Sequence, residues 1–339
     1  MMRIVTGFLG LALLNIAPLE ALERPDREFK IFQFPAHMIP RIDGQIDDWE
    51  MVPDTYIIGT EELSDTVKGR GTNHDPEDLD IRVRVGWVKG LNRLYFLYEA
   101  HDDYWNMYYR RGDIFEIAVD ADRSGGPNIK NPQMEQWESH FAFKGVHAQN
   151  YHIFTPPGAG RDWAFVWGCQ PWIGNLPYAN HAYSYDFKEG ESGRLVLEFW
   201  ITPFDYAPYE GPARAVVSRL VENTRIGLSW SVLDYDEDKG SYEGFWNLSH
   251  DTRMATEASS LCAFKLMPLE SRFRKPLEAQ WDFQVLDMER RLVAFKDLSH
   301  GDIASWSWDF VEQVIGFKGD RWKGSDWLAF RGDRVNWRD

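Results

Sequence analysis

Short segments of alternating apolar and polar residues run from about Ile31 to Met267, and they restrict the fold more than any other feature of the sequence. Leu79–Val88 and Arg93–Ala100 alternate on either side of a Lys-Gly-Leu-Asn turn, a pattern that predicts a β-hairpin. Further strand candidates, separated by Gly, Pro and Asp clusters, are Ile114–Val119, Phe141–Phe143, Tyr151–Phe154, Ala164–Trp167, His181–Phe187, Leu195–Ile201, Ile226–Leu233 and Leu261–Leu266. Many short strands with such punctuation predict an all-β domain, a sandwich or a barrel.

The spacing of apolar residues changes after Pro268. Apolar residues recur at helical spacing between Pro276 and Leu298, and Pro276 suits a first helical turn. A second helix is predicted over Ile303–Phe317. The predicted organisation is therefore a signal peptide over residues 1–21, a β domain over 22–267, and a mostly helical, tryptophan-rich extension over 268–339.

The N-terminus has the composition of a secretory signal. Arg3 supplies a positive charge, and Ile4–Ile16 is an apolar run of suitable length that is too short to span a bilayer. Leu19-Glu20-Ala21 offers a cleavage site, although Leu19 is larger than the residue usually found there. The alternative is an uncleaved N-terminal anchor. The expected location is secreted or periplasmic.

Charge and aromatic content narrow the function classes. With 37 Lys+Arg against 53 Asp+Glu, the net charge is -16, which disfavours nucleic acid and anionic membrane surfaces as partners. Neutral sugars and bound cations are compatible with it. The 16 tryptophans either fill a β-rich core or present rings to a ligand. Cys169 and Cys262 could form one disulfide or remain two thiols, since sequence cannot place them in contact.

The segment Arg41–Trp49 reads as a strand, a tight turn and an aromatic plug. Gly44 can adopt the positive φ that such a turn needs, and Asp43 can bond its own backbone there. We expect Ile42, Ile46 and Trp49 to pack inward.

Four segments, taken in order, resemble the family 9 carbohydrate-binding modules and their relatives. They are Ile42–Trp49, Leu94–Asp103, Gly112–Asp122, and Ile226–Asp238 followed by Gly244–Asn247. The resemblance covers about residues 40–267. It implies an antiparallel β-sandwich that binds sugar between two aromatic rings and often holds calcium structurally. Some of the relatives are haem-binding redox subunits.

The resemblance also indicates candidate sugar-binding residues. A clamp tryptophan is expected just before Asp113, where this chain has Trp105, Tyr108, Tyr109 and Arg110 instead. No aromatic residue follows Trp246 at the place of the second clamp, and tryptophans of the insertion 123–172 are possible substitutes. The candidates are Trp105, Tyr108, Tyr109, Arg110, Trp163, Trp172 and Trp246, each of which also suits a core position. Trp137 and Trp167 belong to the same insertion.

Two acidic clusters at strand ends are candidate calcium sites, because calcium binds six to eight oxygen ligands. One comprises Asp120 and Asp122, and the other comprises Asp234, Asp236 and Asp238. The alternative for each cluster is a solvated acidic turn.

The sequence therefore predicts an exported carbohydrate-binding protein that takes part in polysaccharide recognition or breakdown. The first alternative is a polysaccharide-active hydrolase or lyase, in which a buried Glu116 with a raised pKa would act as general acid, although Glu116 also suits a structural role. The second is a haem-binding redox subunit, which would need an axial Met, His or Lys in an apolar pocket; no Cys-x-x-Cys-His attachment motif is present.

Overall fold

A computed structural model describes residues 22–109, 111–128, 133–158, 160–236, 241–287, 292–301, 303, 327–331 and 334–336. The chain divides into two compact units between Pro268 and Leu269, and each is described by itself. The predicted signal peptide lies outside the described residues. Among those residues, no helix is both long enough and apolar enough to cross a membrane.

The first unit is built almost entirely of strands, as its alternating sequence predicts. In chain order they are β1 (Phe29–Gln33), β2 (Ile58–Gly59), β3 (Ser64–Asp65), β4 (Leu79–Trp87), β5 (Leu94–Asp102), β6 (Ile114–Asp120), β7 (Gln149–Phe154), β8 (Ala164–Val166), β9 (Ala179–Tyr185), β10 (Gly193–Ile201), β11 (Phe204–Tyr206), β12 (Val216–Val217), β13 (Arg225–Asp234), β14 (Gly244–Asn247) and β15 (Cys262–Leu266). The predicted hairpin is confirmed, since β4 and β5 pair antiparallel along their whole length.

The strands form two layers that share β1. The front sheet has the order β8-β7-β6-β13-β15, and the back sheet has the order β4-β5-β10-β9. β1 pairs with β15 over Phe29–Ile31 and then with β4 over Phe32–Gln33, so it passes from one layer to the other. This crossover makes a sandwich of what is formally one continuous sheet.

Inward-facing aromatic side chains hold the two layers together. The ring of Tyr98 on β5 stacks on Phe115 of β6 at 4.3 Å, and Phe115 also meets Phe199 of β10 at 6.3 Å. All three side chains are at most 1% exposed. Burying each such side chain contributes about 1.5–3 kcal/mol of hydrophobic free energy. Since alternate residues point the opposite way, Glu116 necessarily faces the outer side of the front sheet.

The Arg41–Trp49 segment closes over the outer face of the back sheet. Gly44 has φ +78° as predicted, and a Cβ there would lie 2.8 Å from the Tyr183 carbonyl carbon. The Asp43 carboxylate accepts the Gln45 N–H at 3.1 Å. Trp49 is buried, but Ile46 is 42% exposed, so the expectation that it packs inward is wrong. The turn directs its side chain away from the sheet.

A buried carboxylate fixes this segment. Glu198, on β10, is 0% exposed and accepts the Gly44 N–H at 2.7 Å, the Asp43 N–H at 3.0 Å and the Trp49 indole N–H at 2.8 Å. Burial raises the pKa of Glu198, and these donors act in the opposite direction. The Arg41–Trp49 segment thus covers and binds a buried carboxyl group on the outer face of the back sheet.

One short segment of the first unit departs from the predicted strand. Phe141–Phe143 lies in the helix α1 (Gln136–Phe143), because its backbone pairs along the chain instead of with a sheet. Cys169 and Cys262 are not joined by a disulfide.

The second unit contains an antiparallel sheet of β16 (Trp281–Asp287), β17 (Leu292–Asp297), β18 (Trp327–Arg331) and β19 (Arg334–Asn336), in that order. The predicted helix over Pro276–Leu298 is therefore wrong. Trp281, Phe283 and Val285 alternate with polar or aliphatic neighbours, and cross-strand pairing such as Phe283 with Phe295 satisfies that period of two. The predicted second helix falls, beyond Ile303, outside the described residues.

Candidate functional site

A buried carboxylate on the outer face of the front sheet organises a polar cluster. Strand register places His152 of β7 on one side of Glu116 and Ser231 of β13 on the other. His152 Nε2 lies 2.9 Å from Oε1 of Glu116, and the Asn150 side-chain amide donates to the same oxygen at 2.8 Å. The Ser231 hydroxyl donates to Oε2 at 3.1 Å. Both oxygens of the carboxylate are therefore partnered within rigid strands.

These partners determine the charge of Glu116, which is 2% exposed. Burial alone would raise its pKa, but the charge and hydrogen bond of His152, with the hydrogen bonds of Asn150 and Ser231, hold the pKa below its ordinary value. A carboxylate that receives several hydrogen bonds remains ionised even without water. Glu116 is consequently an acceptor at neutral pH, contrary to the raised pKa that the hydrolase alternative requires.

An aromatic side chain connects this cluster to solvent. The ring of Trp167 stacks on the His152 imidazole at 5.0 Å and 14°, and 37% of Trp167 is exposed. The Phe165 ring meets both side chains edge-on, and the Lys144 ammonium lies 5.3 Å from the Trp167 centroid. A flat ring thus sits directly above a chain of hydrogen-bonding groups.

More aromatic rings lie further along the same face. Tyr109, Phe165 and Tyr242 are half-buried and pack against a small apolar cluster that is separate from the main core and includes Ile114 and Phe154. The Tyr109 ring meets Phe154 at 4.7 Å. We call Trp167, Tyr109, Phe165 and Tyr242 the aromatic rim.

Of the predicted sugar-binding residues, three are core residues. Trp105 and Trp246 are 1% exposed and Trp163 is 6% exposed, and Trp105 stacks on the buried Phe187 at 4.5 Å. Because a pyranose needs a free ring face, this burial corrects the prediction for all three.

The remaining candidates are differently placed. Trp172 is half-buried and donates its indole N–H to the Pro208 carbonyl at 3.2 Å. Tyr108 is 54% exposed, and Tyr109 belongs to the aromatic rim. Arg110 lies outside the described residues. A sugar-binding role for Tyr108, Tyr109 and Trp172 stays a prediction.

A second cluster consists of carboxylates alone. It forms where β5 and β13 end and where the chain enters β4 and β6, and its members are Asp78, Asp102, Asp103, Asp113, Asp234 and Asp236. We call this set the acidic cluster. It contains three overlapping triplets in which one carboxylate oxygen per residue lies within 4.8 Å of the others. Asp102, Asp113 and Asp234 form the most buried triplet.

Burial and repulsion between the carboxylates raise the pKa values of this cluster. Burial, then the charge of Asp234, raises the pKa of Asp102 to about 9. Burial, then the charges of Asp78 and Asp236, raises the pKa of Asp234 to about 7. Burial, then the charge of Asp102, also raises the pKa of Asp113. So much negative charge in a small volume requires protons or a cation.

Within the acidic cluster, the carboxylate of Asp234 is both buried and without hydrogen bonds from the described residues. It is 1% exposed, and neither of its carboxylate oxygens has a hydrogen-bond partner of acceptable geometry among the described residues. The indole of Trp246 is close enough to lower the Asp234 pKa, but its Nε1 likewise lacks a partner by distance and angle. Unpartnered buried oxygens and an all-carboxylate donor set fit a hard cation such as calcium.

Asp113 connects the acidic cluster to the chain segment before β6. One of its oxygens accepts the Tyr235 N–H at 2.8 Å, and the other accepts the Asn106 N–H at 2.6 Å. The Asn106 side chain in turn accepts the Tyr108 N–H at 3.0 Å. Tyr108 and its neighbour Tyr109 are therefore held, through backbone hydrogen bonds, by a member of the acidic cluster.

The predicted metal ligands separate into different places. Asp234 and Asp236 join the acidic cluster, whereas Asp238 lies outside the described residues. Asp120 accepts the Gly125 N–H at 2.8 Å, and Asp122 accepts the Ser124 N–H at 3.1 Å. Asp120 and Asp122 thus brace their own turn at the other end of β6, and metal binding there stays a prediction.

Similarity of this chain to known proteins is found at the level of the structure. No protein-family model matches it, and no curated protein matches it. The structure is similar to solved structures of a family 9 carbohydrate-binding module from Caldicellulosiruptor kristjanssonii. One, in complex with glucose, is 14% identical over 72% of this chain and 98% of that chain, with a TM-score of 0.45. Another, in complex with cellotriose, is 13% identical over 74% and 98%, with a TM-score of 0.46.

The sequence did not predict several residues of the polar cluster around Glu116 and of the acidic cluster. His152, Asn150 and Ser231 have no motif around them, and only strand register with Glu116 brings them together. Asp102 and Asp113 flank strands in two of the four segments, but nothing in the sequence pairs them with Asp234. The usable signal was the recurrence of Asp at strand ends, since neighbouring strand ends share one edge of a sheet.

Proposed function

We propose that this protein binds carbohydrate on the outer face of the front sheet, at the aromatic rim around Glu116. The observation that supports this proposal is the half-exposed Trp167 ring stacked on His152, which is hydrogen-bonded to an ionised, buried Glu116. A sugar presents C–H groups on one face and hydroxyls at its edge, so it suits an aromatic ring beside fixed polar groups.

The aromatic rim and the polar cluster around Glu116 would contact different parts of a sugar. Trp167 and Tyr109 offer ring faces and edges to the apolar side of a pyranose. His152 and Lys144 offer hydrogen-bonding groups to hydroxyls, and the buried Asn150 holds Glu116 in place beneath them. Because His152 is on β7 and Trp167 directly follows β8, little side-chain ordering is needed at these two positions on binding, which favours affinity.

The test is binding of neutral oligosaccharides, followed by tryptophan fluorescence and calorimetry. Wild-type protein should bind at least one member of a broad panel of plant and microbial glycans. Trp167→Ala should weaken that binding by about tenfold or more, the loss of one good stacking contact. Trp137→Ala is the matched control, since Trp137 is 70% exposed on α1 in the same insertion.

Two outcomes would contradict the proposal. Absence of binding across the panel would remove the function. Equal losses in Trp167→Ala and Trp137→Ala, or none in either, would move the site elsewhere. Release of shortened products, lost in Glu116→Gln, would instead favour a hydrolase or lyase.

We also propose that the acidic cluster binds calcium as a structural ion. The support is the buried Asp234, which has no hydrogen-bond partner among the described residues and belongs to two of the three carboxylate triplets whose oxygens lie within 4.8 Å of one another. Asp78, Asp102, Asp113, Asp234 and Asp236 would supply the oxygens. The ion would neutralise charges that otherwise require protons.

Export is a further part of the proposed function. It is supported by Arg3 and the apolar run Ile4–Ile16. N-terminal sequencing of protein recovered from outside the cytoplasm should begin near residue 22. Recovery only from the cytoplasm with Met1 intact would contradict it.

A further inference from the structure

A groove lies on the outer face of the back sheet, in the layer opposite the aromatic rim. It encloses about 430 Å³ and is bounded on one side by the turn Gly44–Ile46. Strands β4, β5, β9 and β10 form its floor. This is the part of the back sheet that the Arg41–Trp49 segment leaves uncovered. Its volume is within the usual range of small-ligand sites.

The floor of the groove carries outward-pointing charged side chains. Arg82 on β4 pairs in register with Glu99 on β5, and Arg194 on β10 pairs in register with His101 on β5. Two strand spacings and two residues separate Arg82 from Arg194, which puts their Cα atoms about 12 Å apart. That span matches about two sugar units.

Counting Arg84, which pairs with Glu99, the groove has three guanidinium groups, of Arg82, Arg84 and Arg194, against the two carboxylates of Asp80 and Glu99. Glu99 is already neutralised by an ion pair with Arg84. The Thr60 hydroxyl donates to Asp80 at 3.4 Å, which leaves the negative charge of Asp80 in place. Neither Arg82 nor Arg194 has a carboxylate within ion-pair distance among the described residues, although the chain as a whole has a net charge of -16. Two guanidinium groups of one groove are therefore available to an anionic ligand.

We propose that this groove binds the acidic residues of an anionic oligosaccharide, with Arg82 and Arg194 receiving the carboxylates. A guanidinium binds a carboxylate through two parallel N–H donors, which gives both affinity and orientation. Asp80, His101 and the Ser184 hydroxyl, all lining the groove, provide partners for the hydroxyls of the same sugar. The proposal is independent of the site at the aromatic rim.

The probe is a tri-galacturonate, titrated calorimetrically in calcium-free buffer so that the sugar is not bridged by metal. Wild-type protein should bind it, and its fully methyl-esterified form should bind at least about tenfold more weakly. The double variant Arg82→Ala/Arg194→Ala should lose about tenfold or more of the affinity. Arg219→Ala, which removes an exposed arginine outside the groove, should leave it unchanged.

Trp167→Ala distinguishes this proposal from the proposed function, because it should not alter galacturonate binding. Circular dichroism and the melting temperature of each variant establish that it is folded. The proposal is overturned by lack of binding in wild-type protein, by equal affinity for the acid and its ester, or by unchanged affinity in the double variant. A loss in Arg219→Ala as large as in the double variant would also overturn it, since it would indicate non-specific charge attraction.

Discussion

Glu116 and Asp234 are equally buried carboxylates on adjacent strands, at 2% and 1% exposure, but their surroundings differ. Glu116 receives hydrogen bonds on both oxygens, and its pKa is lowered. Among the residues that the structure describes, Asp234 has no hydrogen-bond partner of good geometry; it faces other carboxylates, and burial with their charge raises its pKa to about 7. Burial therefore does not determine the charge of a carboxylate by itself; the donors around it do. The carboxylate of Glu116 is satisfied by its donors, whereas the charge around Asp234 has to be neutralised by protons or by a cation.

The largest expected effect is on the free energy of unfolding, which an acid-to-amide substitution should change in opposite directions at Glu116 and at Asp234. In metal-free buffer at pH 8, Glu116→Gln should destabilise the protein by about 1.5–3 kcal/mol, because an amide nitrogen would face the donors of His152, Asn150 or Ser231. Asp234→Asn should be neutral or stabilising, because it removes repulsion. Denaturant unfolding measures both. Destabilisation of similar size in the two variants would contradict the distinction.

The next effect is stabilisation by calcium. Calcium at about a hundredfold excess over its Kd should stabilise the protein by about 2.7 kcal/mol, which corresponds to a rise in melting temperature of about 5–10 °C. Asp234→Asn should abolish most of this rise. Asp122→Asn is the control, and a loss confined to that variant would shift the ion to the turn after β6.

The pH dependence of stability should also separate the two regions. Asp102 has its pKa raised from 3.8 to about 9, so the folded metal-free protein binds its proton more tightly than the unfolded chain. That contribution is fully present below pH of about 4 and is lost as the pH rises toward 9. Glu116, with a lowered pKa, contributes stability above its ordinary value of 4.5 that is lost as the pH falls. Unfolding measured from pH 3 to pH 9 in EDTA should show both slopes.

Two variants show which carboxyl group causes each slope of stability against pH. Asp102→Asn should flatten the decline at high pH, and Glu116→Gln should flatten the loss at low pH. Saturating calcium should act like Asp102→Asn, because the ion replaces the protons. An unchanged high-pH slope in Asp102→Asn would show that other groups cause it.

The smallest expected effect is coupling between the two regions. Asp113 bonds the Asn106 and Tyr235 backbone, and Asn106 holds the segment of Tyr108 and Tyr109. Calcium should therefore strengthen neutral oligosaccharide binding at the aromatic rim by roughly fivefold, about 1 kcal/mol of coupling. Titrations with and without calcium measure it, and Asp234→Asn should remove the difference. Equal affinities in the wild type would show that the regions are independent.

The sequence anticipated most of the first unit, since an apolar–polar period of two dictates which face of a strand is buried. The β4–β5 hairpin and the positive φ of Gly44 follow from local chemistry alone. The same reasoning failed for Trp281–Asp287, where alternate residues satisfied both a helical and a strand pattern. Pairing with β17 selected the strand there, and no local signal encodes such pairing.

Only some of the site residues could be predicted from the sequence. Aspartates at strand ends pointed to Asp234 and Asp236, because their density is itself unusual. Burial of Trp105 and Trp246, in contrast, depends on packing partners far away in the chain, so a tryptophan-rich sequence cannot tell core rings from ligand rings.

By itself the sequence determined an acidic, aromatic-rich chain in which residues 22–267 favour a β-sandwich, because strand periodicity and turn chemistry act over a few residues. Only the tertiary structure decided that Glu116 is satisfied and Asp234 is not. Strand register brings His152, Asn150 and Ser231 to the first and other carboxylates to the second. Charge state depends on neighbours in space, and those neighbours are tens to hundreds of residues apart in the chain.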